Sequence, residues 1–265
     1  MYAYFLPASL DQTPDKRQLD RLRLRLRTSR ISGEFCNYHN LDELNQFVVN
    51  NTSSGTKNFV AIGGDKDFHA LLNAAAHLKD TAFGFIPTTK TSLVAQKLGI
   101  DNPRQAYSIL AHRKIRSMPI LQLTLGDQHA VVFTETRFDL STNTELQIKV
   151  DGSLEISAVA NRIEIINNLF DEPDSKPIVL NLYNHLDDAS DRRQQPIIKL
   201  KHEQKHTRKT SQQIAHLQAD SIEVYSKASL QNQLLTTPAH QLTLRQADLP
   251  INVINKKHNE LSSES

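Results

Sequence analysis

The period of the apolar residues changes once along the chain, near residue 114. Before that point, short apolar runs typical of buried strands alternate with stripes spaced for helices. The expected strands are Tyr2–Leu6, Glu34–Tyr38, Asn58–Ile62 and Ala82–Ile86, and the expected helices contain Leu19–Leu26, Leu41–Val48 with Asn40 as its cap, Phe68–Leu78, Leu93–Leu98 and Pro103–Ala111. Repeated strand and helix units of this length predict a parallel sheet covered by helices.

Beyond residue 114 the long helical stripes give way to short alternating runs. Glu145–Val150 and Leu154–Ala158 flank Asp151-Gly152, a pair that favours a tight β-hairpin. Further expected strands are Ile120–Leu125, Ala130–Thr134, Ile163–Ile166, Ile178–Tyr183, Ile197–Lys201, Ile214–Leu217, Ser221–Tyr225, Gln241–Leu244 and Ile251–Ile254. The second half is therefore expected to be mostly antiparallel and β-sandwich-like.

These patterns divide the chain into an α/β domain at 1–113, a β-rich domain at 114–255 and a polar tail at 256–265. With 38% hydrophobic and 23% charged residues among 265, the chain can build a core. A net charge of +2 gives no reason to expect nucleic acid as a partner. We expect a cytoplasmic protein, because Cys36 is the one cysteine, Met1–Leu10 does not resemble a signal peptide, and no apolar run approaches the roughly 18 residues of a membrane span.

The turn Gly63-Gly64-Asp65 is the first candidate site, because it follows an apolar strand and precedes a helix. Backbone N–H groups at such a turn can bind phosphate, and glycine lets a ligand approach the backbone closely. An ordinary turn with a capping aspartate is the alternative.

A second polar run, Thr88-Thr89-Lys90-Thr91-Ser92, stands at the start of the helix expected at Leu93–Leu98. Its hydroxyls and its lysine can bind an anion at the positive end of that helix. The alternative is a capped helix start without a ligand.

The order of these segments resembles the catalytic domain of the diacylglycerol kinase family, whose superfamily includes sphingosine kinases and NAD kinases. The matching segments are Phe59–Asp65, Phe83–Pro87 and Leu93–Ile100, with Asp248–Ile254 similar to the last strand of the family. The resemblance implies an α/β nucleotide domain and a β-sandwich, with ATP and Mg²⁺ between them. The residues that it implies for nucleotide binding are Gly63, Gly64, Asp65, Lys66, Asn73, Thr88, Thr89, Lys90, Thr91 and Ser92, with Asp65 as the principal carboxylate.

The chain departs from the family at most of the chemically important positions. In the first motif, Lys66 and Asp67 replace Gly and Thr of the family. In the helix that follows, His69 and Ala70 replace Asn and Glu. In the second motif, Thr89 and Lys90 replace Gly and Thr, and Ser92-Leu93 replaces Asn-Asp. Counting back from Thr237-Pro238 places Leu230-Gln231-Asn232 at the Asp-Gly-Glu of the family, which supplies the catalytic base. Neither leucine nor glutamine accepts a proton at neutral pH.

Three functional hypotheses follow. The replacements favour a catalytically impaired relative that binds nucleotide or lipid. An active ATP-dependent lipid kinase is the second hypothesis, with Lys66 and Lys90 contacting phosphate and Asp65 acting as its main carboxylate. A non-enzymatic scaffold or interaction module is the third.

Charged surfaces offer weaker candidates. Arg17, Arg21 and Arg25 share one helical face that suits anionic lipid headgroups, with a solvated surface as the alternative. The basic stretch Lys199–Lys209 is expected to be a mobile β-hairpin loop, with binding to nucleic acid or membrane phosphate as the alternative. His202 and His206 within it are not expected to bind metal. Asp187-Asp188 is expected in a solvated loop, with a remnant of the Mg²⁺ site of the family as the alternative. The β-rich half is expected to have exposed strand edges, and pairing of such edges between two chains would give a homo-oligomer.

Overall fold

The structure is a computed structural model that describes residues 1–11, 16–89, 91–168, 176–185, 211–232 and 235–255. Most of the strands belong to two sheets of different character, and each sheet has its own buried apolar cluster. The expected strand Ile197–Lys201, the basic stretch Lys199–Lys209, Asp187-Asp188 and the tail 256–265 lie outside the described residues.

The first sheet has six strands in the order β2-β1-β3-β4-β14-β5. Its strands are β1 (Tyr2–Pro7), β2 (Gly33–Tyr38), β3 (Asn58–Gly63), β4 (Ala82–Pro87), β5 (Ile115–Met118) and β14 (Ile251–Ile254). The pairs from β2 to β14 are parallel, and only the pairing of β14 with β5 is antiparallel. Every residue of β3 and β4 is buried, as expected for strands covered on both faces.

Five α-helices accompany this sheet in the described residues, together with a short 3-10 helix at Ala8–Asp11. They are α1 (Lys16–Thr28), α2 (Leu41–Ser53), α3 (Asp65–Ala75), α4 (Leu93–Lys97) and α5 (Pro103–His112). The predicted cap is confirmed, because the Asn40 side chain accepts a hydrogen bond from the backbone of Glu43 at the start of α2. No helix in the described residues has the length and apolar content that a membrane crossing requires.

The second sheet has eight antiparallel strands in the order β11-β10-β9-β8-β12-β13-β6-β7. They are β6 (Leu121–Leu125), β7 (Gln128–Val132), β8 (Glu135–Val150), β9 (Leu154–Asn167), β10 (Ile178–His185), β11 (Ser211–Ala219), β12 (Ser221–Asn232) and β13 (Leu235–Gln246). The predicted fold class, a parallel α/β part followed by a β-rich part, is confirmed.

The Asp151-Gly152 hairpin forms as predicted, with both residues at positive φ. Its strands are longer than expected, since β9 continues from Leu154 to Asn167 as one element. Arg162 pairs with both β8 and β10, whereas Asn161 stands at an irregularity where the register with β8 shifts between Asp139 and Thr144. Pairing with β8 before and after this irregularity therefore joins the two expected strands into one element.

One strand lies in a different sheet from the one expected. Ile251–Ile254 was expected to continue the antiparallel series, but β14 lies between β4 and β5 in the first sheet. Ile251, Val253 and Ile254 are buried there, and such an apolar segment suits a central strand. The division of the chain at residue 113 stays a prediction, and two strands that follow this residue in sequence belong to the first sheet.

Candidate functional site

The Gly-Gly turn lies where β3 ends and α3 begins. Gly63 is the last residue of β3 and has φ +156°, and Gly64 is the N-cap of α3. A Cβ atom at Gly63 would lie 2.2 Å from Oδ2 of Asp67, whereas one at Gly64 would lie 3.9 Å from the same oxygen. Glycine is therefore required at Gly63 by the close approach of a side chain from the protein itself.

That side chain, Asp67, covers the turn with its carboxylate. The backbone N–H of Gly64 donates to Asp67 Oδ2 at 2.8 Å, and the hydroxyl of Tyr38 donates to Oδ1 at 3.1 Å. Asp67 is buried, with 8% of its surface exposed. Burial raises the pKa of the Tyr38 hydroxyl, and the Asp67 charge raises it further, so Tyr38 remains a proton donor. The N–H group expected to bind phosphate is thus bound to an internal carboxylate.

Asp65 is engaged through both carboxylate oxygens. Ser92 Oγ donates to Oδ1, and the backbone N–H of Leu93 donates to Oδ2 at 2.9 Å. The buried Ser92 hydroxyl also accepts from the Ala95 backbone at 2.9 Å as the N-cap of α4. Asp65 therefore joins the start of α3 to the start of α4, and the polar run ends in a capped helix.

The rest of the polar run lies beside this junction. The Thr88 backbone N–H donates to Gly63 O at 2.9 Å, which fixes the run against the Gly-Gly turn. Thr88, Thr89 and Thr91 are exposed, and Thr89 Oγ1 donates to Thr91 O at 3.2 Å. Lys66 is also exposed. Lys90 lies outside the described residues.

His69 connects α3 to the β-rich part of the chain. Its Nδ1 lies 2.9 Å from Asp65 O, and its Nε2 accepts from the Phe133 backbone N–H at 3.1 Å. Since Nε2 accepts, the ring is neutral and Nδ1 carries the proton. Burial lowers the pKa of His69 in agreement with this assignment, against a smaller opposing effect of Asp65.

Asn73, implied for nucleotide binding, contacts β7. Its Oδ1 accepts from Val131 N at 2.7 Å, and its Nδ2 donates to Val131 O at 3.2 Å and to His69 O at 2.8 Å. The side-chain amide thus pairs with Val131 as a neighbouring strand would. In this arrangement Asn73 positions α3 against the second sheet, and its role toward a nucleotide stays a prediction.

The carboxylates near the turn give a poor set of ligands for a divalent cation. The described residues contain no group of three or more His, Cys, Asp or Glu side chains arranged to hold a metal ion. Asp65 and Asp67 are both committed to N–H and O–H donors. Although the Glu135 side chain as a whole is exposed, desolvation and the Glu164 charge raise the pKa of its carboxyl group, and Asp65 adds to the effect. The described residues therefore do not form a set of ligands that fits the Mg²⁺ implied by the resemblance.

The catalytic base of the family was placed at Leu230-Gln231-Asn232 by counting back from Thr237-Pro238. These three residues lie in β12. Leu230 there is fully buried in the apolar cluster of the second sheet. The side chains of Gln231 and Asn232 lie outside the described residues, as do those of Thr237 and Pro238. A buried leucine cannot take a proton from a substrate hydroxyl.

A cavity of about 590 Å³ lies at the carboxyl ends of β1, β3 and β4, beside the Gly-Gly turn. Arg21 and Arg25 of α1 line it and are exposed, whereas the side chain of Arg17 lies outside the described residues. Cys36 is buried elsewhere, and burial raises the pKa of its thiol to about 11.

Sequence reasoning missed the contacts of Asp67 and His69, although it singled out both residues as departures from the family. An acid three residues after a glycine N-cap is a local capping signal that could have indicated the Asp67–Gly64 hydrogen bond. Tyr38 lies 29 residues from Asp67 in sequence and gave no such signal.

Comparisons with known proteins agree on the fold. No protein-family model matches the sequence, and no curated protein matches it either. Among solved structures, a diacylglycerol kinase from Bacillus anthracis str. Sterne aligns with TM-score 0.64 and 13% identity over 96% of both chains. A putative diacylglycerol kinase from the same organism aligns with TM-score 0.67 and 11% identity over 96% of this chain and 97% of that one. An NAD kinase from Archaeoglobus fulgidus in complex with ATP aligns with TM-score 0.54 and 12% identity over 97% and 94%. As the sequence resemblance predicted, this chain has the two-part fold of the diacylglycerol kinase and NAD kinase structures.

Proposed function

We propose that this protein is a catalytically impaired relative of the diacylglycerol kinases that has kept the fold as a ligand-binding framework. The observation that carries the proposal is the 2.8 Å hydrogen bond from Gly64 N to Asp67 Oδ2. A phosphate bound to the same N–H group would have to displace the carboxylate. The protein therefore supplies its own anion where the resemblance implies the phosphates of ATP.

Electrostatics strengthen this argument. Two unit charges 4 Å apart repel by about 4 kcal/mol at the effective dielectric of a protein surface. A phosphate at the turn would meet Asp67 at close range, with Asp65 two residues away in sequence. Displacing Asp67 would also leave the hydroxyl of Tyr38 without the partner it has here. Both effects oppose the binding of ATP at this turn.

The engagement of Asp65 supports the proposal from a second direction. Both oxygens of Asp65 accept hydrogen bonds from the start of α4, so fewer of its lone pairs remain for Mg²⁺ or a reacting hydroxyl. The buried Leu230 at the expected position of the catalytic base also supports impaired catalysis. Loss of a general base alone lowers a rate by about 10²–10⁴-fold.

The competing proposal is an active lipid kinase that uses ATP and Mg²⁺, with Lys66, Lys90 and the Thr88–Ser92 run contacting phosphate. The ATP complex of the NAD kinase of similar fold favours a nucleotide partner. In that case ligand binding would move Asp67 away from Gly64 and release Asp65 from Ser92. A cytoplasmic location is compatible with both proposals.

Phosphoryl transfer from labelled ATP to diacylglycerol in mixed micelles, with Mg²⁺ present, separates the two. We expect no transfer above the level of a protein-free control, and no difference between the wild type and Asp65→Ala. Turnover by the wild type that is lost in Asp65→Ala would overturn the proposal and establish the active kinase. Wild-type turnover that Asp65→Ala retains would also overturn it, and would rule out the role assigned to Asp65.

A further inference from the structure

The two sheets have four edge strands in the described residues, and both edges of the first sheet carry features that discourage pairing with another chain. β5 spans only the four residues Ile115–Met118 and carries the exposed Arg116. β2 carries the exposed Glu34, and the guanidinium of Arg23 lies 5.0 Å from the centre of the Phe35 ring on the same strand. Short edges and charged side chains are usual means by which proteins prevent association edge to edge.

β7, at one end of the second sheet, is covered by α3. The Asn73 amide accepts from Val131 N at 2.7 Å and donates to Val131 O at 3.2 Å. A helix side chain thus occupies backbone groups that a further strand would use. The other end of this sheet, where β11 lies, is therefore the better candidate for pairing with another chain.

β11 has none of these protective features. Its nine residues, Ser211–Ala219, make it the longest of the four edge strands. They include no aspartate, glutamate, lysine, arginine or proline. Among the described strands, β11 pairs only with β10. A long edge without charges is a template on which another strand can form hydrogen bonds.

The apolar face of the second sheet reaches this edge without being fully covered. Leu180 and Leu182 of β10 are completely buried. Their partners on β11, Leu217 and Ala215, pack against the same apolar cluster but are only partly buried. A strand added beside β11 would remove more of this apolar surface from water, and that burial favours association.

One irregularity limits the part of β11 that can pair regularly. Ile214 is the extra residue where the register with β10 shifts between Leu182 and Tyr183. The pairing is regular over Ala215–Ala219, and Leu217 is the middle residue of this segment. A regular strand segment is therefore available for a further partner.

We propose that the protein forms a two-fold symmetric dimer in which Ala215–Ala219 of two copies pair antiparallel, with Leu217 opposite Leu217. Antiparallel pairing of identical strands matches one surface patch to itself, as a two-fold axis requires. In this register His216 lies opposite Gln218, so no like charges meet across the axis. The two eight-stranded sheets become one continuous sheet. The inference goes beyond the impaired phosphate site and does not depend on it.

Sedimentation equilibrium of the wild type tests for the dimer. We expect the measured mass to approach twice the 30.0 kDa of the chain as the concentration rises to about 100 μM, a range that detects even a weak specific association. The mass of a single chain throughout this range would overturn the inference.

Charge substitutions locate the interface. His216→Lys with Gln218→Lys places lysine opposite lysine across the axis and should weaken dimerisation about tenfold or more. His216→Glu with Gln218→Glu should do the same. A mixture of the two double variants should associate again, because lysine then lies opposite glutamate. This restoration separates charge repulsion at the interface from misfolding of either variant.

The matched control places lysines on strands inside the second sheet. Gln147 of β8 and Gln241 of β13 are exposed, and both strands have neighbours on each side. Gln147→Lys with Gln241→Lys adds the same number of charges away from the proposed interface. Its dimerisation constant should stay within about twofold of the wild type.

Cysteine cross-linking tests the register. Leu217→Cys should form a disulfide between two chains under mild oxidation, because the two side chains at this position lie opposite each other. Gln147→Cys, on an inner strand, should not. The native Cys36 is buried and leaves both results unaffected.

Three further results would contradict the proposed dimer. The first is a dimer that survives both charge variants and so uses another surface. The second is a lack of association between the lysine and glutamate variants when they are mixed. The third is equal cross-linking of Leu217→Cys and Gln147→Cys. The kinase assay reports on the Gly-Gly turn, so its outcome is independent of these measurements.

Discussion

The carboxylate of Asp67 accepts a hydrogen bond from the backbone N–H of Gly64, with Oδ2 2.8 Å from the nitrogen. An anion at the start of a helix is stabilised by the helix dipole and by unpaired N–H groups. In this protein the anion comes from the third residue of the helix itself. The same geometry that can bind phosphate therefore serves here to cap α3.

The close packing around this carboxylate predicts different costs for alanine at the two glycines. Gly63→Ala should lower the free energy of unfolding by about 2 kcal/mol or more, because its Cβ would overlap Asp67 and φ is unfavourable. Gly64→Ala should cost less than about 1 kcal/mol, because the nearest atom is 3.9 Å away. Urea unfolding measures both.

A double-mutant cycle identifies the source of the strain. The cost of Gly63→Ala should shrink when Asp67→Ala removes the overlapping side chain. An undiminished cost in that background would show that backbone conformation, and not the Asp67 contact, makes Gly63 necessary.

The buried neutral ring of His69 predicts a loss of stability in mild acid. The folded-state pKa of His69 is lowered from 6.5, so below pH 6.5 the unfolded chain binds a proton that the folded protein does not. Stability should therefore fall as pH decreases from 6.5 toward the folded pKa, by up to about 1.4 kcal/mol per pH unit.

Comparison of wild type with His69→Gln isolates this contribution among the 11 histidines. The difference between their unfolding free energies should narrow between pH 7 and pH 5, because glutamine does not titrate. A constant difference across this range would mean that His69 is protonated in the folded protein to the same extent as in the unfolded chain.

The Asn73 amide predicts that α3 depends on β7 for its position. Asn73→Leu should lower the free energy of unfolding by about 1–3 kcal/mol, because the N–H and C=O of Val131 lose their partners. Asn50→Leu, an exposed change on α2, should stay within about 0.5 kcal/mol. Equal effects of the two changes in urea unfolding would contradict the assigned contact.

Cys36 should be unreactive in the folded protein. The thiolate is the reactive form, and a buried thiol with a pKa of about 11 is almost wholly protonated at pH 8. Iodoacetamide should modify it slowly under native conditions and rapidly in urea, as followed by mass spectrometry. Equal rates in the two conditions would show that β2 is open to solvent.

The predictable parts of this molecule are those set by local pattern. An apolar run ending in two glycines placed the turn at Gly63-Gly64 correctly, and Asn40 was identified as a helix cap from its neighbours alone. The prediction that Ile251–Ile254 belongs to the antiparallel sheet is wrong. The strand pairs in parallel with Ala82–Phe83, about 170 residues away in sequence. No local pattern specifies such a partner.

The candidate site shows the same limit. Sequence comparison identified Asp67 as a replacement for threonine, and the structure adds that its carboxylate binds the backbone of the turn. Asn73 is a predicted nucleotide-site residue and His69 a replacement of a family asparagine, yet their side chains contact Val131 and Phe133 in the β-rich part of the chain. Contacts across 58 and 64 residues could not be predicted from either segment alone.

The most direct measurement is the affinity for ATP, with and without Mg²⁺, of the wild type and of Asp67→Thr, which restores the family residue. Calorimetry should show weak or no binding by the wild type at millimolar ATP, and a gain of about tenfold or more in Asp67→Thr, equivalent to about 1.4 kcal/mol. Asp67→Asn keeps the shape of the side chain and removes its charge. It therefore separates charge repulsion between Asp67 and ATP from occupation of the turn by the side chain. Micromolar binding by the wild type that Asp67→Thr leaves unchanged or weakens would contradict the account.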